Sequence, residues 1–203
     1  MPARLASRVS LASRERKLRL FLDLNHPGPE TTVVDVGVTN APFGNGSTDN
    51  FLEALYPWPE QITGVGHTEL DRFAAAFPRV RAVRADGREL PFRDGEFDLG
   101  FSNAVVEHVA GGREGQRRFV AELCRVANRV FVTTPNRWFP LDPHTRLPFV
   151  HWLPAGAARD RLLRARGFDD VLHPLGPAEL ASLFPYPVRV LNRGLTLVAA
   201  GPL

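Results

Sequence analysis

Short β-branched or apolar runs alternate with helical patterns along most of this chain, and that alternation restricts the fold more than any other feature. Thr31 to Val36, Gln61 to Val65, Val80 to Val83, Glu96 to Phe101 and Arg129 to Thr134 read as strands bounded by polar or Gly-containing turns. Between them Asp49 to Tyr56, Glu69 to Phe77 and Gln116 to Ala127 read as helices. Strands separated by helices pair in parallel through right-handed crossovers, with helices on both faces of the sheet. The end of the chain breaks the pattern. Val188 to Leu191 and Leu195 to Ala199 flank Asn192-Arg193-Gly194, which predicts an antiparallel hairpin at the sheet edge. The expectation is an α/β fold, a doubly wound and mainly parallel sheet of seven strands ending in that hairpin.

With 203 residues, 44% of them hydrophobic, the chain has enough apolar material for one sizeable core and is expected to form one domain. Residues 1–28 read as a helical cap, 29–135 as the core, 136–186 as a further segment with helices, and 187–203 as the closing hairpin. Leu5, Val9, Leu18, Phe21 and Leu22 give the N-terminal stretch one apolar face among arginines, as one or two helices, and His26-Pro27-Gly28-Pro29 ends it. The arginines interrupt any run resembling a secretory signal, and no stretch has the length of a membrane span. A soluble, cytoplasmic protein is expected. Lys+Arg 25 against Asp+Glu 22 leaves a formal charge of only +3, which argues against a nucleic-acid partner. The one cysteine, Cys124, excludes a disulfide framework and reads as a small buried hydrophobe.

Ligands of open α/β sheets bind beyond the carboxyl ends of the strands, so the residues just past each strand carry the functional information. These are Asp35-Val-Gly37-Val-Thr39, Ala85-Asp86-Gly87, Ser102-Asn103 with Glu107-His108, and Thr134-Pro135-Asn136-Arg137. A glycine after the first strand lets a ligand approach the backbone. Taken singly, Gly37 and Asp86 are equally turn formers and Asn103 a helix cap, because these residue types favour such positions in any protein.

Taken together and in order, Val33-Val-Asp-Val-Gly37, Arg84-Ala-Asp86-Gly-Arg-Glu-Leu-Pro-Phe92, Phe97-Asp98 and Val106-Glu-His-Val109 resemble the successive motifs of class I S-adenosylmethionine-dependent methyltransferases. The resemblance runs from about Thr31 to Pro135 and is most specific from Leu-Pro-Phe to Phe-Asp. It implies a Rossmann-like fold, S-adenosylmethionine as cofactor and S-adenosylhomocysteine as product. The implied cofactor residues are Asp35, Gly37, Thr39, Gly66, His67, Asp86, Gly87 and Asn103. By that resemblance Asp86 accepts from the adenine amino group, and Asn103 lies at the methionine end.

Two departures stand out. The family continues with further glycines, whereas Val38, Thr39, Asn40, Ala41 and Pro42 follow Gly37. The family also ends its second strand in an acidic residue for the ribose, where this chain has Gly66. Glu69, Asp71 or Asn40 are the substitutes within reach in sequence. The same gaps argue against a nicotinamide enzyme, which needs a compact G-x-G-x-x-G turn and that acid.

Glu107 and His108 are the catalytic candidates, His108 as a pocket wall or a general base. No metal is expected, since Ala104 stands where a second glutamate would complete a ligand set. Beyond the fifth strand, Asn136, Arg137, His144 and His151 are the acceptor-side candidates. Trp138 and Trp152 serve either an acceptor pocket or packing. The expected acceptor is a small molecule or a glycan, methylated on oxygen or nitrogen, and a homodimer is compatible with this reading. The alternatives are a non-catalytic methyltransferase-like module that binds a partner and, more remotely, RNA methylation.

Overall fold

The structure is a computed structural model that describes residues 2–44, 49–141, 148–149, 152, 161 and 172–203. In chain order the elements are α1 (Pro2–Asn25), β1 (Val33–Val36), α2 (Phe51–Leu55), β2 (Ile62–Gly66), α3 (Asp71–Ala76), β3 (Arg81–Arg84), β4 (Phe97–Asn103), α4 (Gly112–Val126), β5 (Ala127–Pro135), α5 (Pro177–Ala181), β6 (Arg189–Arg193) and β7 (Thr196–Gly201). The sheet has seven strands in the order β3-β2-β1-β4-β5-β7-β6. The chain forms two compact units, Met1–Phe101 with Arg125–Asn128, and Ser102–Cys124 with Arg129–Leu203.

In the first unit β1 pairs in parallel with β2 and with the start of β4, and β2 pairs in parallel with β3. β1 is buried at every residue, as a strand covered on both faces requires. The N-terminal pattern forms a single helix, α1. Its Phe21 is fully buried and meets the Phe101 ring edge-on at 5.2 Å, while Phe51 of α2 meets Phe101 at 5.8 Å. Such edge-to-face pairs add about 0.5–1.5 kcal/mol to the area that they bury.

The family-like stretch from Leu90 to Asp98 acts here as scaffold. Arg125 donates to the carbonyls of Leu90 (3.0 Å) and Phe92 (2.8 Å) and to the Asp94 carboxylate (2.8 Å), tying down the loop before β4. Phe92 packs edge-on to Phe97 at 4.9 Å. Asp98 accepts from both the N–H and the hydroxyl of Thr32 at 2.9 Å.

In the second unit α4 buries Phe119, Val120 and Leu123 on one face. It starts at Gly112, earlier than the expected Gln116, because the glycines of its first turn mask the periodicity. β7 pairs antiparallel with β5 and with β6, so the hairpin's second strand lies inside the sheet and β6 forms the edge. The hairpin turns at Gly194, whose N–H donates to Asn192 Oδ1 at 2.9 Å. Cys124 is half-buried rather than buried, and burial pushes its thiol up to about 11. Among the described residues no helix is long and apolar enough to cross a membrane.

Candidate active site

Asp35 is 7% exposed in β1, and Glu53 of α2 is 4% exposed beside the buried Phe51 and Leu52. Their carboxyl groups lie within hydrogen-bonding reach of each other. Burial raises both, Glu53 to about 7. Asp35 rises well above the usual carboxylate range, first by burial and then through the neighbouring Glu53.

Gly37 turns the chain out of β1 at a φ of 121°, a conformation that favours glycine. Its N–H and that of Val38 both donate to the Val65 carbonyl, at 2.8 and 3.1 Å. The Thr39 N–H donates to Asn50 Oδ1 at 2.9 Å, and Asn50 Nδ2 donates to the carbonyls of Thr39 (2.9 Å) and Ala41 (2.6 Å). The side-chain amide of Asn50 thus takes the part of a neighbouring peptide. The N–H groups of Gly37 and Val38 are therefore engaged by β2 and that of Thr39 by Asn50, where the sequence suggested donors for a ligand.

The replaced glycines and the missing ribose acid are linked through space. Val38 is buried at 5% exposure. A Cβ on Gly66 would lie 2.7 Å from the Val38 carbonyl oxygen and 2.9 Å from Leu70 Cδ2. One on Gly64 would lie 2.7 Å from Phe73 Cζ and 3.1 Å from Val38 Cγ1. β2 is glycine at both positions because Val38, Leu70 and Phe73 fill that space. Asn40 Oδ1 accepts from the N–H groups of Arg72 (2.8 Å) and Phe73 (3.1 Å), satisfying donors at the start of α3. Thr39, His67 and Glu69 are exposed, and Glu69 lies 3.9 Å from Arg84.

Beyond β3, Arg88 grips the Asp86 carboxylate. Its Nε lies 3.0 Å from Oδ1, its Nη2 2.7 Å from Oδ2, and its own N–H donates to Oδ1 at 2.9 Å. Half of the Asp86 side chain is exposed. Gly87 is half-buried in a turn closed by the Glu89 N–H on the Asp86 carbonyl.

The remaining candidates belong to the second unit. Asn103 Oδ1 accepts from the Thr133 hydroxyl at 2.8 Å. The next residue, Ala104, stands at φ 55°, where a residue with a Cβ stores on the order of 1 kcal/mol of strain. Glu107 is buried and accepts from Thr134 Oγ1 at 3.0 Å, whereas His108 is exposed on the same short turn. Asn136 is buried and braces the end of β5: its Nδ2 donates to the Gly194 carbonyl (3.0 Å) and its Oδ1 accepts from the Trp138 N–H (3.0 Å). Arg137 and Arg113 both pair with Glu179 Oε1, at 3.2 and 3.1 Å, and the Arg137 guanidinium lies 5.3 Å over the Trp138 ring. Trp138 and Trp152 are 58% and 41% exposed, their rings lie 6.5 Å apart, and Trp152 Nε1 donates to the Arg137 carbonyl at 2.7 Å. His144 and His151 lie outside the described residues.

Sequence reasoning passed over Glu53, Asn50, Arg88 and Glu179. Only Glu53 left a signal, as a charge flanked by apolar residues on both sides in Phe-Leu-Glu-Ala-Leu.

Residues 34–129 match the model of the methyltransferase domain family. No curated protein matches the chain in sequence. Among solved structures, the chain is similar to a Thermotoga maritima methyltransferase described as a possible histamine N-methyltransferase, with 17% identity over 97% of this chain and 91% of that one and a TM-score of 0.61. It is also similar to the 1,6-didemethyltoxoflavin N1-methyltransferase of Burkholderia thailandensis, with 18% identity over 95% and 78% and a TM-score of 0.57. A methyltransferase from Aquifex aeolicus shares 16% identity over 96% and 91%, with a TM-score of 0.55. At these identities the structural likeness is one of fold. With it, the match over residues 34–129 marks that segment as similar to a methyltransferase domain, set in the Rossmann-like fold of S-adenosylmethionine-dependent methyltransferases.

The first unit's residues fit that cofactor at two strand ends. The buried Asp35–Glu53 carboxyl pair ends β1 and suits a cationic group, and the half-exposed Asp86 ends β3 and suits an amino donor. At the end of β2 the space for an acidic side chain is filled by the protein itself.

Proposed function

We propose that the protein is a cytoplasmic S-adenosylmethionine-dependent methyltransferase acting on a small-molecule acceptor. The observation that carries this reading is the placement of Asp35 and Asp86 at the carboxyl ends of β1 and β3, inside the segment that matches the methyltransferase domain. S-adenosylmethionine, when bound, supplies a sulfonium-activated methyl group. Asp35 with Glu53 would take a cationic group of the cofactor, Asp86 would accept from the adenine amino group while Arg88 holds its carboxylate in place, and Asn103 of the second unit is the candidate for the methionine end. Transfer from a sulfonium needs chiefly alignment and a deprotonated acceptor, so orientation supplies much of the rate. Arg137 is the acceptor-side candidate, and the exposed His108 imidazole is the base candidate. Asn136 is better suited to bracing, since its amide is engaged by the backbone.

A small acceptor is favoured over a glycan or RNA by the neighbours that act on small molecules, among them the toxoflavin-precursor enzyme. The test is incubation of the full chain with methyl-labelled S-adenosylmethionine and, in parallel, a cell extract's small-molecule fraction, its glycans and its RNA. Label is expected in the small-molecule fraction, and label confined to glycans or RNA would overturn that choice. A second reading, a methyltransferase-like binding module, draws on the engagement of the Gly37, Val38 and Thr39 N–H groups by β2 and Asn50. It requires that no fraction take up label.

A further inference from the structure

We propose that Glu53 is a positioning residue that shares a proton with Asp35, and that a cationic group of the cofactor arriving at the carboxyl end of β1 drives that proton off the pair. The inference rests on the function proposed above.

Geometry makes the proton necessary. Asp35 is buried in a central strand, and Glu53 is buried in α2 beside the buried Phe51 and Leu52, so both carboxyls are held away from water. Among the described residues neither oxygen of Glu53 has a well-formed hydrogen bond, and only its own backbone N–H acts on the carboxyl besides Asp35. Two ionised carboxylates would therefore face each other with nothing to bridge them. With a proton between them the same two groups form a hydrogen bond, as paired carboxyls at short range do.

From α1, Arg14 lies 5.8 Å over the Phe51 ring, and its electrostatic partner is Asp49. Tyr56, at the end of α2, interacts with Asp98 of β4. After burial, the Glu53 charge and a hydrogen bond to Glu53 raise Asp35, while Asp35 acts on Glu53 as a hydrogen-bond partner. Burial holds the pair protonated into the neutral range, Glu53 to about 7.

A cation at this end of β1 stabilises the ionised form of the pair, so binding expels a proton. No bond other than O–H is broken, and the proton passes to the buffer. Linkage then requires cofactor affinity to rise with pH through the neutral range.

The test is calorimetric titration of S-adenosylhomocysteine into the full chain near neutral pH, in two buffers of different ionisation heat. The expected result is an apparent enthalpy that differs between buffers by release of up to about one proton per site, a difference that Glu53→Gln loses. Equal enthalpies in both buffers with clear binding would overturn the linkage alone. No binding heat would overturn both the linkage and the proposed function. An independent readout needs no ligand: the infrared carboxyl C=O stretch of the unliganded protein should show a protonated band near neutral pH that is lost in Glu53→Gln. Absence of that band in the wild type overturns the shared proton even if Glu53→Gln fails to fold.

Discussion

Replacing Glu53 by glutamine is expected to remove a loss of stability that the wild type suffers as pH rises from weakly acidic to weakly alkaline. Burial lifts Glu53 from 4.5 to about 7. The native state therefore holds a proton that the unfolded chain has already released across that window, and stability falls as pH rises through it. Below the unfolded value both states are protonated and the full stability is present; above about 7 the loss from Glu53 is complete. A shift of this size corresponds to about 3 kcal/mol. Asp35, raised in the same direction, extends the loss to higher pH. Urea unfolding at about pH 5 and about pH 8.5 should show the wild type losing about 3 kcal/mol more than Glu53→Gln between the two. Parallel behaviour of the two proteins would mean that Glu53 is ionised and solvated in the native state.

The second large effect is expected at the end of β2. Gly66→Asp writes the family's ribose-binding acid back into the sequence, yet it should fail to tighten cofactor binding and should destabilise the fold. The new Cβ would stand 2.7 Å from the Val38 carbonyl oxygen, a backbone atom that side-chain rotation does not move. Overpacking alone costs about 1–3 kcal/mol, and a carboxylate placed beside a carbonyl oxygen adds to it, for a total of about 3 kcal/mol or more. A fall in melting temperature with no gain in affinity for S-adenosylhomocysteine is the expected outcome. A variant that melts with the wild type and binds more tightly would show that the loop after Gly37 yields to the ligand.

These two positions also mark where reading the sequence succeeded and where it stopped. β1, the alternating strands and the closing hairpin were legible because their signal is local: a β-branched run, a period, a glycine turn. Gly37 and Asp86 were legible as ordered motifs at strand ends. Val38 and Gly66 were each visible as departures, but their connection is a contact between a loop and a strand more than twenty residues further on. Glu53 was missed for a related reason. In Phe-Leu-Glu-Ala-Leu a glutamate reads as the polar side of an amphipathic helix, and only the tertiary fold buries it beside Asp35. Asn136 was read from its place past a strand as an acceptor-side candidate, and its bracing of the β6–β7 turn was not legible because that contact is long-range. The exposed Trp138 and Trp152 were ambiguous in sequence, because an aromatic residue serves core and surface alike.

The most direct test of the central claim is a calorimetric titration of S-adenosylhomocysteine into the wild type and into Asp86→Ala. Saturable binding is predicted, weakened on the order of tenfold in Asp86→Ala, the size of one lost hydrogen bond to a charged group. No binding by the wild type at about millimolar ligand, or equal affinity in the two proteins, would contradict a cofactor seated at the carboxyl ends of β1 and β3.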